Sequence, residues 1–207
     1  PKVPMMLCSG GGGRTDYELL KYFTEFWPSD NTDPLERVFM QWDYSYFYPS
    51  LAVCNHVTEW SNKPLKYRID VASMGKMGFD IDVKKLKTEE LEFCKQAIKN
   101  YNGFKHIVWQ GDMYRLKSPY ETNMASMLYV STDKNKAVMF NYLSDWRYIF
   151  TATQSPVRLQ GLDANKKYRI RELNLPAGQQ SPVDSNKIYS GDFLMNAGFN
   201  PFVNLSR

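Results

Sequence analysis

Histidine and cysteine are scarce: 207 residues carry two histidines, His56 and His106, and three cysteines, Cys8, Cys54 and Cys94. An odd number of widely spaced cysteines does not make a disulfide framework. No His/Cys cluster has ligand spacing, so neither a structural zinc nor a cofactor is expected. The net charge is only +4 and the basic residues are scattered, which leaves no stripe for nucleic acid or an anionic membrane. The longest apolar runs are too short to cross a bilayer, and repeats and low-complexity tracts are lacking. The chain starts at Pro1 with neither an initiator methionine nor a signal-like segment, so it reads as a piece of something longer, its compartment unknown. What is present, 43% hydrophobic and 15% aromatic residues, fits a soluble globular protein of one or two domains with a sizeable core.

Glycine is concentrated in one place. The stretch Cys8-Ser9-Gly10-Gly11-Gly12-Gly13-Arg14 is followed by Trp27-Pro28-Ser29-Asp30-Asn31-Thr32-Asp33. Four glycines in a row have no side chain to pack, so the backbone there either comes close to something or adopts φ > 0. A ligand cradle and a tight strand-to-helix turn both answer that description. A phosphate loop does not, because no Lys-Ser/Thr pair follows at Walker spacing and the third glycine of a dinucleotide fingerprint would fall at Thr15. A second loop with a carboxylate at its centre has the layout of neighbouring strand-end loops on one rim of a barrel. Taken alone, an Asp in a Ser-Asp-Asn-Thr-Asp run is more often a turn or cap residue than a catalytic one.

The pattern predicts a strand over residues 4–7 and, from the Thr15/Glu18 capping box, a helix through Leu19, Leu20, Phe23 and Phe26. Asp33 caps the next helix, with Pro34 at its first position and Val38, Met40 and Trp42 along it. A strand over 51–53 with an outgoing loop at 55–58, a helix over 64–73 and a strand over 78–83 follow. A helix from Thr88 through Tyr101 is stopped at Gly103. Beyond about residue 105 the period changes to short strand candidates at 106–109, 124–131, 136–142, 157–160, 167–173 and 187–195. The chain thus reads as α/β then all-β, with residues 1–104 a strand-helix domain and residues 105–207 an antiparallel sandwich.

Cys8 to Asp16, then Trp27 to Arg37, closely resemble the α-galactosidases of glycoside hydrolase family 36. Tyr48-Pro49, Asn55-His56-Val57, Gly78-Phe79-Asp80-Ile81-Asp82 and the run from Gln110 to Leu116 are similar to later landmarks of that family. The resemblance implies the C-terminal part of a (β/α)8 TIM barrel followed by a β-sandwich domain. It makes Asp30 the general acid/base of a retaining α-galactosidase, with Cys8, Ser9, Gly10 and Gly11 lining the galactose pocket. Such a carboxyl must protonate the departing glycosidic oxygen and then deprotonate water, with a second carboxylate about 5 Å away as nucleophile. It must hold a proton near neutrality, which burial or the partner carboxylate can arrange.

The family's nucleophilic Asp sits in a Lys-Trp-Asp motif on an earlier strand, and no such motif occurs in this chain. Trp42-Asp43 follows the acid/base and lacks the lysine, so Asp43 reads as a surface helix residue. The resemblance therefore implies a fragment, inactive alone. Its partners would be the remainder of the enzyme, comprising an N-terminal sandwich and the first barrel strands, and α-galactoside oligosaccharides; the complete protein would be a homo-oligomer. An α-N-acetylgalactosaminidase of the same family and a non-catalytic structural or assembly module are the alternatives. Trp27 is either a sugar-stacking platform or an anchor for its loop. Arg37 reads as an ion pair ordering the Asp30 loop, His56 as a structural hydrogen-bonding residue, and Asp80 and Asp82 as strand residues on one face. Cys54 and Cys94 read as small core residues, and Trp109 and Trp146 as core or carbohydrate platform in equal measure.

Overall fold

The computed structural model describes residues 2–8, 12–144 and 156–201. By contact the chain divides into two units, Pro1–Tyr101 and Asn102–Arg207. The first is built on four short parallel strands: β1 (Met6–Leu7), β2 (Glu25–Phe26), β3 (Cys54–Thr58) and β4 (Lys76–Asp80). β1 pairs with β2 and β3 with β4, and a single parallel bridge between Phe26 and Val53 joins the pairs, so the strands lie in chain order. Helix α1 (Pro34–Tyr44) connects β2 to β3, α2 (Leu65–Ala72) connects β3 to β4, and α3 (Thr88–Gln110) follows β4. Parallel neighbours need such crossovers because a hairpin can only reverse the chain.

α1 starts where its sequence dictates. Asp33 accepts from the backbone N–H of Leu35 at 2.8 Å and of Glu36 at 3.2 Å, and Pro34 occupies the first position, where a missing N–H costs nothing. Its buried side chains Arg37, Val38, Gln41 and Trp42 recur at three- and four-residue intervals and form one face. Val57 of β3, Ile69 and Ala72 of α2 and Cys94 and Ala97 of α3 make a core cluster, to which full burial of Val57 and Ile69 contributes about 1.5–3 kcal/mol each. Tyr101 anchors α3 by donating to Gly75 O at 2.6 Å and accepting from Met77 N–H at 3.1 Å.

Three expectations fail in this unit. The Thr15/Glu18 helix does not form; residues Gly12–Arg14 and Leu19–Lys21 are single 3-10 turns, and Phe26 lies in β2. Thr15 Oγ1 donates back to Gly12 O at 3.0 Å, and Asp16 accepts from Leu19 N–H, so both side chains favour turns. Ladder bonds from Thr24 N–H to Met5 O and from Trp27 N–H to Leu7 O draw residues 24–27 into the sheet. β3 begins at Cys54, after a 3-10 turn at Ser50–Ala52, so residues 55–58 are strand and not loop. α3 runs through Gly103 to Gln110, and residues 106–109 are its last turns. A lone helical glycine costs only about 1 kcal/mol, whereas Phe104, Ile107 and Val108 all become buried.

The second unit contains a three-stranded antiparallel sheet, β5 (Asp112–Lys117), β6 (Met124–Val130) and β7 (Ala137–Leu143), with β6 central and buried along its whole length. A second pair, β8 (Lys167–Arg169) with β9 (Ile188–Ser190), leads into α4 (Gly191–Asn196). β5 has no counterpart among the expected strands. Residues 187–195 divide between β9 and α4, because Ser190 caps the helix by accepting from Phe193 N–H. Residues 157–160 supply only the bridge between Val157 and Phe199. Leu128, Val130, Leu159, Leu162 and Leu194 form the core. Trp146 lies outside the described residues, and Trp109 is half-buried with Lys105 over its ring.

Candidate active site

Because β1 to β4 are parallel, the segments leaving their C-terminal ends, Cys8 with residues 12–14, then residues 27–33, 59–63 and 81–87, emerge at one end of the sheet. The first two lie side by side. A Cβ built at Gly12 would overlap Pro28 O and the Tyr44 hydroxyl, so a glycine is needed there for loop-to-loop contact. The Tyr44 hydroxyl donates to Pro28 O at 3.2 Å, tying the end of α1 to the Trp27–Asp33 segment. Cys8 is exposed at the start of the first loop; Ser9, Gly10 and Gly11, the other expected sugar contacts, lie outside the described residues.

The Trp27–Asp33 segment is held from within by Asx and Ser turns: Asn31 N–H donates to Ser29 Oγ at 3.1 Å, and Asp33 N–H to Asn31 Oδ1 at 3.0 Å. Asp30 is exposed at its tip, and Trp27 Nε1 donates to Asp30 Oδ1 at 3.1 Å. Trp27 is 8% exposed, with the Arg37 guanidinium 4.6 Å from its ring centroid and the His56 ring 4.7 Å away. A buried ring in that setting anchors its loop and has little surface left for stacking a sugar. Arg37 forms hydrogen bonds to the backbone of the segment where an ion pair was expected: its Nε donates to Asn31 O at 2.9 Å and its Nη2 to Ser29 O. The Thr58 hydroxyl, at the end of β3, meets the Thr32 hydroxyl at 2.9 Å and fixes the far side.

Burial lowers the Arg37 pKa to about 10, with Tyr44 and Asp30 pulling the other way, so Arg37 is a cation at neutral pH. Burial likewise lowers His56, opposed by Asp80 on β4. Cys54 is pushed up to about 12 by burial and then by Glu25, so it is a neutral thiol. His56 also fills the space that a side chain at position 78 would take, which accounts for Gly78. Asp80 ends β4, whereas Asp82 lies beyond it and caps a 3-10 turn through Lys84 N–H, so the two do not share a strand face. Asp43 is exposed on α1, and Cys54 and Cys94 are buried. Behind the segment lies a small cavity of about 10 Å³ lined by Arg37, Gln41, Asn55 and Arg68 among others, room for about one water molecule. It is far below the ~300–1,000 Å³ of ordinary ligand pockets, and it faces the support of the Asp30 loop. No group of three or more His, Cys, Asp or Glu that could hold a metal occurs among the described residues, and none of their helices is long and apolar enough to cross a membrane.

Residues 1–111 match the Melibiase family. The chain belongs to that family. Residues 124–203 match the glycosyl hydrolase family 36 C-terminal domain. It is 36% identical over 206 residues to α-galactosidase AgaA of Geobacillus stearothermophilus and 34% identical over 205 residues to α-galactosidase 2 of Hypocrea jecorina, each alignment covering 96% of this chain and 26% of the relative. Among solved structures it superposes on the family 36 α-galactosidase AgaB of G. stearothermophilus with a TM-score of 0.82 at 35% identity, over 94% of this chain and 26% of that one. A structure of AgaA in complex with raffinose gives 0.81 at 34% identity, over 93% and 26% respectively. The chain thus spans about a quarter of the length of the relatives it matches.

Motif spacing pointed to Trp27, Asp30 and Arg37 in advance. Gly12, Tyr44, Thr32 and Thr58 were missed as supports, because their contacts join residues 16 to 26 positions apart or more and leave no periodic signal.

Proposed function

We propose that this chain supplies the last strands of the catalytic barrel, residues 1–104, and the C-terminal β-sandwich, residues 105–207, of a retaining α-galactosidase. Asp30 is its general acid/base. The observation that carries the reading is the adjacency of the glycine loop and the Asp30 loop at the C-terminal ends of paired parallel strands, the end at which barrel active sites form. Asp30 gives its proton to the glycosidic oxygen as the bond to the anomeric carbon breaks, while a carboxylate from the remainder of the polypeptide forms the galactosyl-enzyme. Asp30 then takes a proton from the water that releases galactose. Cys8, Ser9, Gly10 and Gly11 line the galactose pocket, where bare backbone allows N–H groups to reach sugar hydroxyls.

Met6 on β1, the strand at the edge of the sheet, and Met5 just before it stand exposed. Parallel sheets are normally covered on both faces and at their edges, so further strands of the same polypeptide cover this one, and the chain alone is inactive. The substrates are α-galactosyl oligosaccharides of the kind seen with the relative bound to raffinose. The test is to incubate the complete protein with raffinose and identify by NMR the anomer released first. α-Galactose is expected; β-galactose, or no hydrolysis while an α-N-acetylgalactosaminide is cleaved, would overturn the reading.

A further inference from the structure

Arg37 projects from the second turn of α1 and is 3% exposed, yet most of its hydrogen bonds go to the Asp30 loop and not to its own helix or sheet. It donates to Ser29 O and to Asn31 O, the carbonyls immediately before and after Asp30, and its remaining nitrogen reaches Asn55 Oδ1 at 3.4 Å. Its guanidinium also lies against the ring of Trp27, whose Nε1 donates to Asp30 Oδ1. One buried cation thus holds the backbone on both flanks of a carboxyl group and the ring that orients the carboxyl itself. A planar fork with five donors can satisfy two carbonyls and stack on an aromatic face together; a lysine ammonium cannot reproduce that geometry.

We propose that Arg37 is a positioning residue for proton transfer, acting through Ser29 O, Asn31 O and Trp27 so that Asp30 Oδ1 is committed to the indole N–H and Oδ2 exchanges the proton. This deepens the reading of Asp30 as acid/base and rests on it. Indole Nε1–H is a donor only, so in the acid form Oδ1 is the carbonyl oxygen and Oδ2 carries hydrogen. In the first step the Oδ2–H bond breaks, the proton goes to the glycosidic oxygen, and the electron pair of the broken glycosidic bond stays with that oxygen as the nucleophile bonds to carbon. In the second step Oδ2 takes a proton from water as its oxygen displaces the nucleophile from the same carbon. Arg37 touches neither sugar nor water; its part is to keep Oδ2 in line.

The experiment compares Arg37→Met, Arg37→Lys and Trp27→Phe with Asp30→Asn in the complete protein, using raffinose and an activated aryl α-galactoside. Misplacing a catalytic group by an ångström costs on the order of 100-fold. Arg37→Met is therefore expected to lose about 100-fold in kcat/KM on raffinose and under about 10-fold in kcat/KM on the aryl galactoside, because that ratio reports the first step, in which only the poor leaving group needs the proton. Arg37→Lys keeps the charge and the fold but restores less than about 10-fold of the raffinose loss, and Trp27→Phe shows the same substrate dependence at smaller size. Equal losses in kcat/KM on both substrates, or full rescue by lysine, would each overturn the proposal. If Asp30→Asn depends on the leaving group and the folded Arg37→Lys and Trp27→Phe variants do not, this inference fails and the acid/base reading stands. If Asp30→Asn loses equally in kcat/KM on both substrates, the acid/base reading itself fails.

Discussion

Gly12→Ala is a one-methyl perturbation with a definite consequence. The added Cβ would fall well inside contact distance of Pro28 O and the Tyr44 hydroxyl. Ordinary van der Waals separation is about 3.5–4.0 Å, so the two loops must part by on the order of 1 Å. Tyr44 can swing away, but Pro28 O is backbone, two residues before Asp30, and it moves only if the loop moves. Overpacking of this kind costs about 1–3 kcal/mol, and an ångström of displacement at a catalytic carboxyl costs on the order of 100-fold in rate. In the complete protein, Gly12→Ala should therefore lower the melting temperature by a few degrees and raffinose turnover by about two orders of magnitude. Gly13→Ala is the control, since nothing lies near a Cβ at that position, and both readouts should stay near wild type. Adding Tyr44→Phe to Gly12→Ala should recover only the share due to the hydroxyl. Wild-type turnover and stability in Gly12→Ala would refute the argument that the glycine exists for contact between these loops.

Two smaller predictions follow from the supports of the site. Asp33→Ala removes the side-chain acceptor for Leu35 and Glu36 N–H; a lost helix cap costs about 0.5–2 kcal/mol, and the denaturation midpoint should fall accordingly, whereas Asp33→Asn, whose amide oxygen still caps, should stay near wild type. Burial holds the folded-state pKa of His56 below its ordinary value of 6.5, so the unfolded chain binds a proton first and stability is lost as pH falls below about 6.5. Melting curves between pH 7.5 and 5 should flatten in His56→Gln, and an unchanged slope would count against this source of acid sensitivity.

The sequence was most informative where one residue fixes one local geometry. Asp33-Pro34 set the start of α1, and the strand candidates at 124–131 and 136–142 became β6 and β7, each within one residue. It misled where two local signals competed. Thr15 and Asp16 each had a turn bond available that the capping-box reading assigned to a helix, and Gly103 was read as a stop although burial of Phe104, Ile107 and Val108 carries α3 past it. β5 was hidden because Asp112, Arg115 and Lys117 break its apolar pattern. At the site, Asp30 and Trp27 stood out by motif, and Arg37 was recognised as ordering their loop. What held the loop was not visible: carbonyls of Ser29 and Asn31 as acceptors, Tyr44 from the end of α1 and Thr58 from β3 are products of tertiary packing.

The role of Asp30 is tested most directly by Asp30→Ala in the complete protein, assayed on an activated aryl α-galactoside with and without azide. Removing the acid/base leaves the galactosyl-enzyme without a group to activate water, and a small anion that fits the vacated space can attack instead, on the face the leaving group left. The account predicts a slow variant that azide accelerates, with α-galactosyl azide as product. Undiminished hydrolysis of raffinose by Asp30→Ala, or a β-galactosyl azide, would contradict it.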